Sequence, residues 1–222
     1  MGRTGVDFSF PITQDISIAF ATPVLVRTIS NFETVNEGLK KQVYAAREED
    51  GGVSISNRGG WQSSPTLWNW ETPEVEAFKG WVHDSMLRMA ALLTQETDLG
   101  NVDLQYVAGG WANINGQGNY NDGHVHPDCD WSCVYYAQAG ELEPGWDRNG
   151  KFELHDPRTL AQASKLAGYG FARSLLIDPE PGKLILFPAW MEHSVHPFYG
   201  TGERISLAVN IKITGGRHAG AG

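Results

Sequence analysis

The spacing of apolar residues changes character near residue 95. Before it, two stretches carry helical periodicity. "TPEVEAFKGWVHDSMLRMAALLT" (72–94) opens with Thr72 as N-cap and Pro73 in the first helical position, and Val75, Phe78, Val82, Ser85, Met89 and Leu92 recur on one face. "SNFETVNEGLKKQVYAAREE" (30–49) is a second helix, with Ser30 and Glu33 spaced as a capping box. "IAFATPVLVRTI" (18–29) reads as a first strand, and the Gly-, Ser- and Trp-rich 50–71 as an irregular functional loop. After residue 95 the pattern is one of short strands separated by Gly, Pro, Asn and Asp: 103–114, 123–128, 130–138, 151–156, 174–179, 182–189, 193–198 and 204–213. Eight strands are the number of a jelly roll, so a mainly β fold with flanking helices around a jelly-roll core is expected. Residues 1–222 are read as one domain, in which 1–95 braces the β core of 103–213; no repeat or low-complexity linker divides it.

Composition narrows the function classes. With 17 Lys+Arg against 26 Asp+Glu the net charge is −9 and no basic cluster stands out, which argues against nucleic acid as partner. No apolar run approaches the roughly 20 residues of a membrane span. The N-terminus has neither the apolar core of a signal peptide nor, with Val6 in place of Ser or Thr, a myristoylation pattern. Cys129 and Cys133 are too far apart along one strand to bridge, so free thiols in a reducing, cytoplasmic setting are expected. A homodimer is the default assembly.

Candidate chemistry lies in "NDGHVHPDCDWSCVYYAQ" (121–138), where His124, His126, Asp128 and Asp130 alternate. In an extended chain all four project to one face. A reactive ferrous ion needs two histidines and one carboxylate on one side, leaving positions open for substrate and oxygen. His126 and Asp128 supply two of these groups. "GKLILFPAWMEHSVHPF" offers His193, or His196, as the third from a distant strand. Arg204 and Ser206 then share a strand face and form a charge-assisted site for a terminal carboxylate.

Together these stretches resemble the Fe(II)/2-oxoglutarate-dependent dioxygenases. The likeness is to a microbial group with H-x-H-P…W-S-x-V-Y-Y, G-x-L-x-L-F-P-x-W-x-x-H-x-V-x-P and R-I-S-x-x-x-N, here "HVHPDCDWSCVYY", "GKLILFPAWMEHSVHP" and "RISLAVN". "SNRGGWQS" (56–63) resembles that group's upstream signature. The resemblance implies a double-stranded β-helix (cupin-like) core and Fe(II) as metal, with 2-oxoglutarate and dioxygen as co-substrates. It implies His126, Asp128 and His193 as catalytic metal ligands, with His124 in place of Asp128 as the alternative. Arg204 and Ser206 would hold the distal carboxylate. Cys133 stands where the pattern has glycine, placing a thiol near the metal.

Tyr135 and Tyr136 alternate faces, and Tyr135 is assigned to the co-substrate pocket together with Asn113; Asn210 is a further lining candidate. His83, His155, His196 and His218 read as ordinary surface or hydrogen-bonded histidines. The implied activity is hydroxylation of a small molecule or peptide side chain entering between 50–71 and 139–175. Two other classes explain part of the pattern. A cupin-like metalloenzyme independent of 2-oxoglutarate accounts for the histidines but leaves Arg204 idle, and a non-catalytic jelly-roll binder needs neither.

Overall fold

The computed structural model describes residues 22–158 and 174–216. The start of the 18–29 strand, part of the 139–175 connection and His218 lie outside them.

The expected helices form and pack on one side of the β core. α2 (Pro73–Thr94) starts as anticipated, with Thr72 accepting a hydrogen bond from the Val75 amide. Val75, Phe78, Val82, Met86 and Met89 are buried along its inner stripe, whereas Leu92 is exposed. α1 (Glu33–Glu49) lacks the expected capping box: it begins after Phe32, and Asn31 takes a left-handed turn (φ 55°) just before it. Ser30 thereby lies two residues before the cap position. Asn36, Leu39 and Val43 form its buried face.

The strands are β1 (Leu25–Thr28), β2 (Asn57–Arg58), β3 (Trp61–Gln62), β4 (Leu104–Asn115), β5 (Tyr120–His124), β6 (Trp131–Gln138), β7 (Glu141–Leu142), β8 (Phe152–Leu154), β9 (Leu175–Ile177), β10 (Lys183–Pro188), β11 (His193–Val195), β12 (Gly200–Thr201) and β13 (Arg204–Gly216). They pair antiparallel in two facing sheets, β1-β10-β6-β13-β4-β3 and β2-β5-β11-β8-β9, with a small β12-β7 ribbon beside them. This is the open double-stranded β-helix expected of a jelly-roll core.

Alternation sorts the side chains of the larger sheet. On β13, Ile205, Leu207, Val209 and Ile211 join the core under the helices, while Arg204, Ser206, Ala208 and Asn210 line the slot between the sheets. On β6, Cys133, Tyr135 and Ala137 belong to the helix-side core, and Val134 and Tyr136 to the inter-sheet cluster. Register then stacks the inward residues: Arg204 opposite Asn115, Ser206 between Asn113 and Tyr136, Ala208 between Trp111 and Val134, and Asn210 opposite Ser132. One end of the slot is thus polar and cationic.

Candidate active site

The three histidines converge from the smaller sheet. His124 closes β5, His126 follows it, and His193 opens β11 directly opposite His124 in the pairing. Their ring centroids are 4.3 to 5.0 Å apart, and one ligand atom from each fits within 4.8 Å of the other two. Backbone carbonyls orient two of the rings. His124 Nδ1 lies 2.7 Å from the Asp122 carbonyl and His193 Nδ1 lies 2.9 Å from that of Met191. Donation there leaves each Nε2 lone pair for a metal, as outer-shell partners of ligating imidazoles commonly arrange. Trp111 flanks His126, and Phe187 and Phe152 flank the buried His193. Burial lowers all three, His126 to about 4 and His193 to about 3, so the rings are neutral, the form that binds metal ions, at neutral pH.

Asp128 does not join this group. The alternation that places His124, His126 and Asp128 on one face needs unbroken extended backbone, and β5 ends at His124. Pro127 cannot donate to a ladder, and Asp128 then adopts a left-handed conformation (φ 64°) in the exposed turn. Asp130 accepts a hydrogen bond from the Ile213 amide, tying that turn to β13. The alternative trio with His124 is the one the fold gathers, and no acidic residue shares it among the described residues.

At the polar end of the slot lies Arg204, 1% exposed. Its Nη1 donates to the Gly150 carbonyl at 2.8 Å, and with the Asn115 amide oxygen facing it Nη2 donates there at 2.7 Å. No described carboxylate forms an ion pair with it. Two further buried polar atoms of the same slot, Tyr136 Oη and Asn113 Oδ1, have no hydrogen-bond partner among the described residues. Ser206, Asn113 and Arg204 therefore line one slot with the histidines.

Two sequence assignments change with strand parity. Tyr135 points to the helices, where its hydroxyl donates to Asn36 Oδ1 at 2.6 Å; Tyr136 is the tyrosine in the slot. Cys133 shares the Tyr135 face, and its fully buried thiol, with its pKa raised by that burial, belongs to the helix-side core. Asn115 was missed, although it lies two residues beyond Asn113 on the same strand face. The loop 50–71 divides its residues between the core and a cavity. Trp61, Trp68 and Trp70 pack against the core, while Ile55, Arg58 and Pro65 border an outer cavity of about 490 Å³ that opens on His124 and His126. His196 stands away from the trio, hydrogen-bonded to Glu153. A further cavity of about 1000 Å³, between α2 and the far ends of β4 and β13, is lined by no histidine or cysteine among the described residues.

No helix of the described residues is long and apolar enough to cross a membrane. Residues 109–210 match the family described as "Putative 2OG-Fe(II) oxygenase". No curated protein matches the sequence. Among solved structures, a prolyl-4-hydroxylase from Pseudomonas putida is similar at 16% identity and TM-score 0.58, over 87% of this chain and 94% of that one. A prolyl hydroxylase from Trichoplax adhaerens, solved with a peptide fragment of hypoxia inducible factor, gives 16% and 0.55 over 85% and 83%. HygX from Streptomyces hygroscopicus, solved with nickel and 2-oxoglutarate, gives 12% and 0.52 over 87% and 83%. At such identities the likeness is one of fold. The 109–210 core, somewhat less than half of the chain, is thus similar to the 2OG-Fe(II) oxygenases, a group whose metal is ferrous iron and whose co-substrate is 2-oxoglutarate.

Proposed function

We propose that the protein is an Fe(II)- and 2-oxoglutarate-dependent hydroxylase acting on a small molecule or a peptide side chain, with His124, His126 and His193 as its metal ligands. The observation that carries the co-substrate half of this reading is Arg204. A guanidinium taken out of water without a counter-charge costs several kcal/mol, so a site that buries one is built for an anion. That cation lies at one end of the slot and the neutral imidazoles at the other, which suits a short diacid able to chelate a metal.

The chain's own part in the chemistry is positioning. Arg204 and Ser206 hold the distal carboxylate, and Tyr136 presents a hydroxyl with no competing protein partner. The slot is narrow, about 40 Å³, so these side chains adjust as the co-substrate enters. Phe152, Phe187 and Trp111 keep the metal end dry, and the outer cavity admits the compound to be oxidised. When bound, ferrous iron supplies oxygen activation coupled to oxidative decarboxylation of 2-oxoglutarate to succinate.

Anaerobic addition of Fe(II) and 2-oxoglutarate tests the reading. A weak visible charge-transfer band should require both additions and disappear in His193→Ala, and air should then release succinate. A band without 2-oxoglutarate would point to a cupin-like enzyme, and no band at all to a non-catalytic binder.

A further inference from the structure

We propose that Asn210 binds the keto-acid end of 2-oxoglutarate, opposite the end held by Arg204; the assignment rests on the oxygenase reading above. Arg204, Ser206, Ala208 and Asn210 occupy one face of β13 and all line the slot. Six residues of strand span roughly 20 Å at about 3.3 Å each, enough for an arginine side chain, a five-carbon diacid and a short amide in series. Between the two polar ends stands Ala208, whose methyl group leaves the intervening space open.

Asn210 also lies at the level of the metal ligands. The residues that border both the slot and the outer cavity are Ser56, Trp111, His124, His126 and Asn210, and Asn210 is the contribution of β13 to that boundary. Its amide is held in one orientation by the Ser132 hydroxyl, which donates to Oδ1 at 2.9 Å. The two Nδ2 hydrogens have no hydrogen-bond partner among the described residues. They are neutral donors at the point where a chelating carboxylate and keto oxygen gather negative charge. An amide stabilises that charge without placing a second cation against the metal, and an aspartate there would repel it.

The test is anaerobic titration of the Fe(II)-loaded protein with 2-oxoglutarate, comparing wild type with Asn210→Ala, Asn210→Asp and Ser132→Ala. Asn210→Ala should raise the Kd about tenfold or more, the scale of a lost hydrogen bond to a charged group, and shift the charge-transfer band. Asn210→Asp keeps the size and the Ser132 contact, so it should fold and bind more weakly still. Ser132→Ala should act in the same direction with a smaller change. Valerate, which carries only the carboxylate directed at Arg204, should compete equally in wild type and Asn210→Ala; equal weakening of both ligands would reduce Asn210 to a structural residue. Wild-type affinity and an unmoved band in both Asn210 variants would overturn the proposal while leaving the oxygenase reading intact. Absence of the band from wild type would instead overturn the reading beneath it.

Discussion

Replacing Arg204 with methionine separates a residue retained for a ligand from one retained for the fold. The substitution keeps most of the buried aliphatic volume and removes the charge. It leaves the Gly150 carbonyl and the Asn115 amide without a donor, each costing about 1–3 kcal/mol. Against this, the several kcal/mol spent in desolvating the guanidinium is recovered, and no described partner carboxylate is stranded. The terms nearly cancel, so the ligand-free variant should melt within about 2 kcal/mol of wild type, unlike the 3–5 kcal/mol lost when one member of a buried ion pair is removed.

Ligand-linked stability should behave in the opposite way. At 100 times its Kd, 2-oxoglutarate stabilises the wild type by about 2.7 kcal/mol. For a chain of this size that is roughly 5–11 °C in Tm. Loss of a charge-assisted, buried contact of about 3 kcal/mol or more weakens binding at least 100-fold. The same concentration should then move the variant by about 1 °C or less. Differential scanning fluorimetry with inert Mn(II) and increasing 2-oxoglutarate reads both quantities. A variant that keeps half the ligand-induced rise would refute Arg204 as the anion anchor. A ligand-free loss above about 5 kcal/mol would show that the guanidinium is structurally paired after all. Should Arg204→Met not express, Arg204→Lys, which keeps charge but not the fork, should bind 2-oxoglutarate more weakly than wild type.

Other expectations follow from the same geometry. His124→Ala and His193→Ala should each lower Fe(II) affinity at least 100-fold by calorimetry, whereas Asp128→Ala should leave it unchanged; the reverse pattern would restore the carboxylate to the metal. Tyr135→Phe should cost about 1–3 kcal/mol in denaturant unfolding, because Asn36 Oδ1 loses its donor, yet keep 2-oxoglutarate affinity. Tyr136→Phe should do the converse, keeping stability and weakening 2-oxoglutarate several-fold, since its hydroxyl has no protein partner to lose. Gly60→Ala should harm both: its φ is 67°, and a Cβ would collide with the Asn115 amide nitrogen and come within 2.7 Å of the Ile114 carbonyl. A drop in stability with unchanged 2-oxoglutarate affinity would uncouple that loop from the Arg204 end of the slot.

Local pattern was enough for much of this molecule. The start of α2, the alternating strands, the pairing of Arg204 with Ser206 on one face and the membership of His126 and His193 in one site were all legible, because each depends on neighbours a few residues apart or on a spaced motif. What remained hidden depends on where a strand stops and which face it turns inward. Period-two alternation states that Tyr135 and Tyr136 point to opposite sides, but only helices packed on one face decide that Tyr135 meets Asn36 and Tyr136 meets the slot. Likewise the sequence lays His124, His126 and Asp128 at equal intervals, while the end of β5 and the left-handed turn at Asp128 remove the acid from the group. By itself, then, the chain determined the chemical groups available and the periodicity that displays them. Tertiary structure decided which of them meet, because the pairing of β11 with β5, some 70 residues apart, closes the histidine trio, and the burial of Arg204 with no counter-charge among the described residues exists only once two sheets have closed over it.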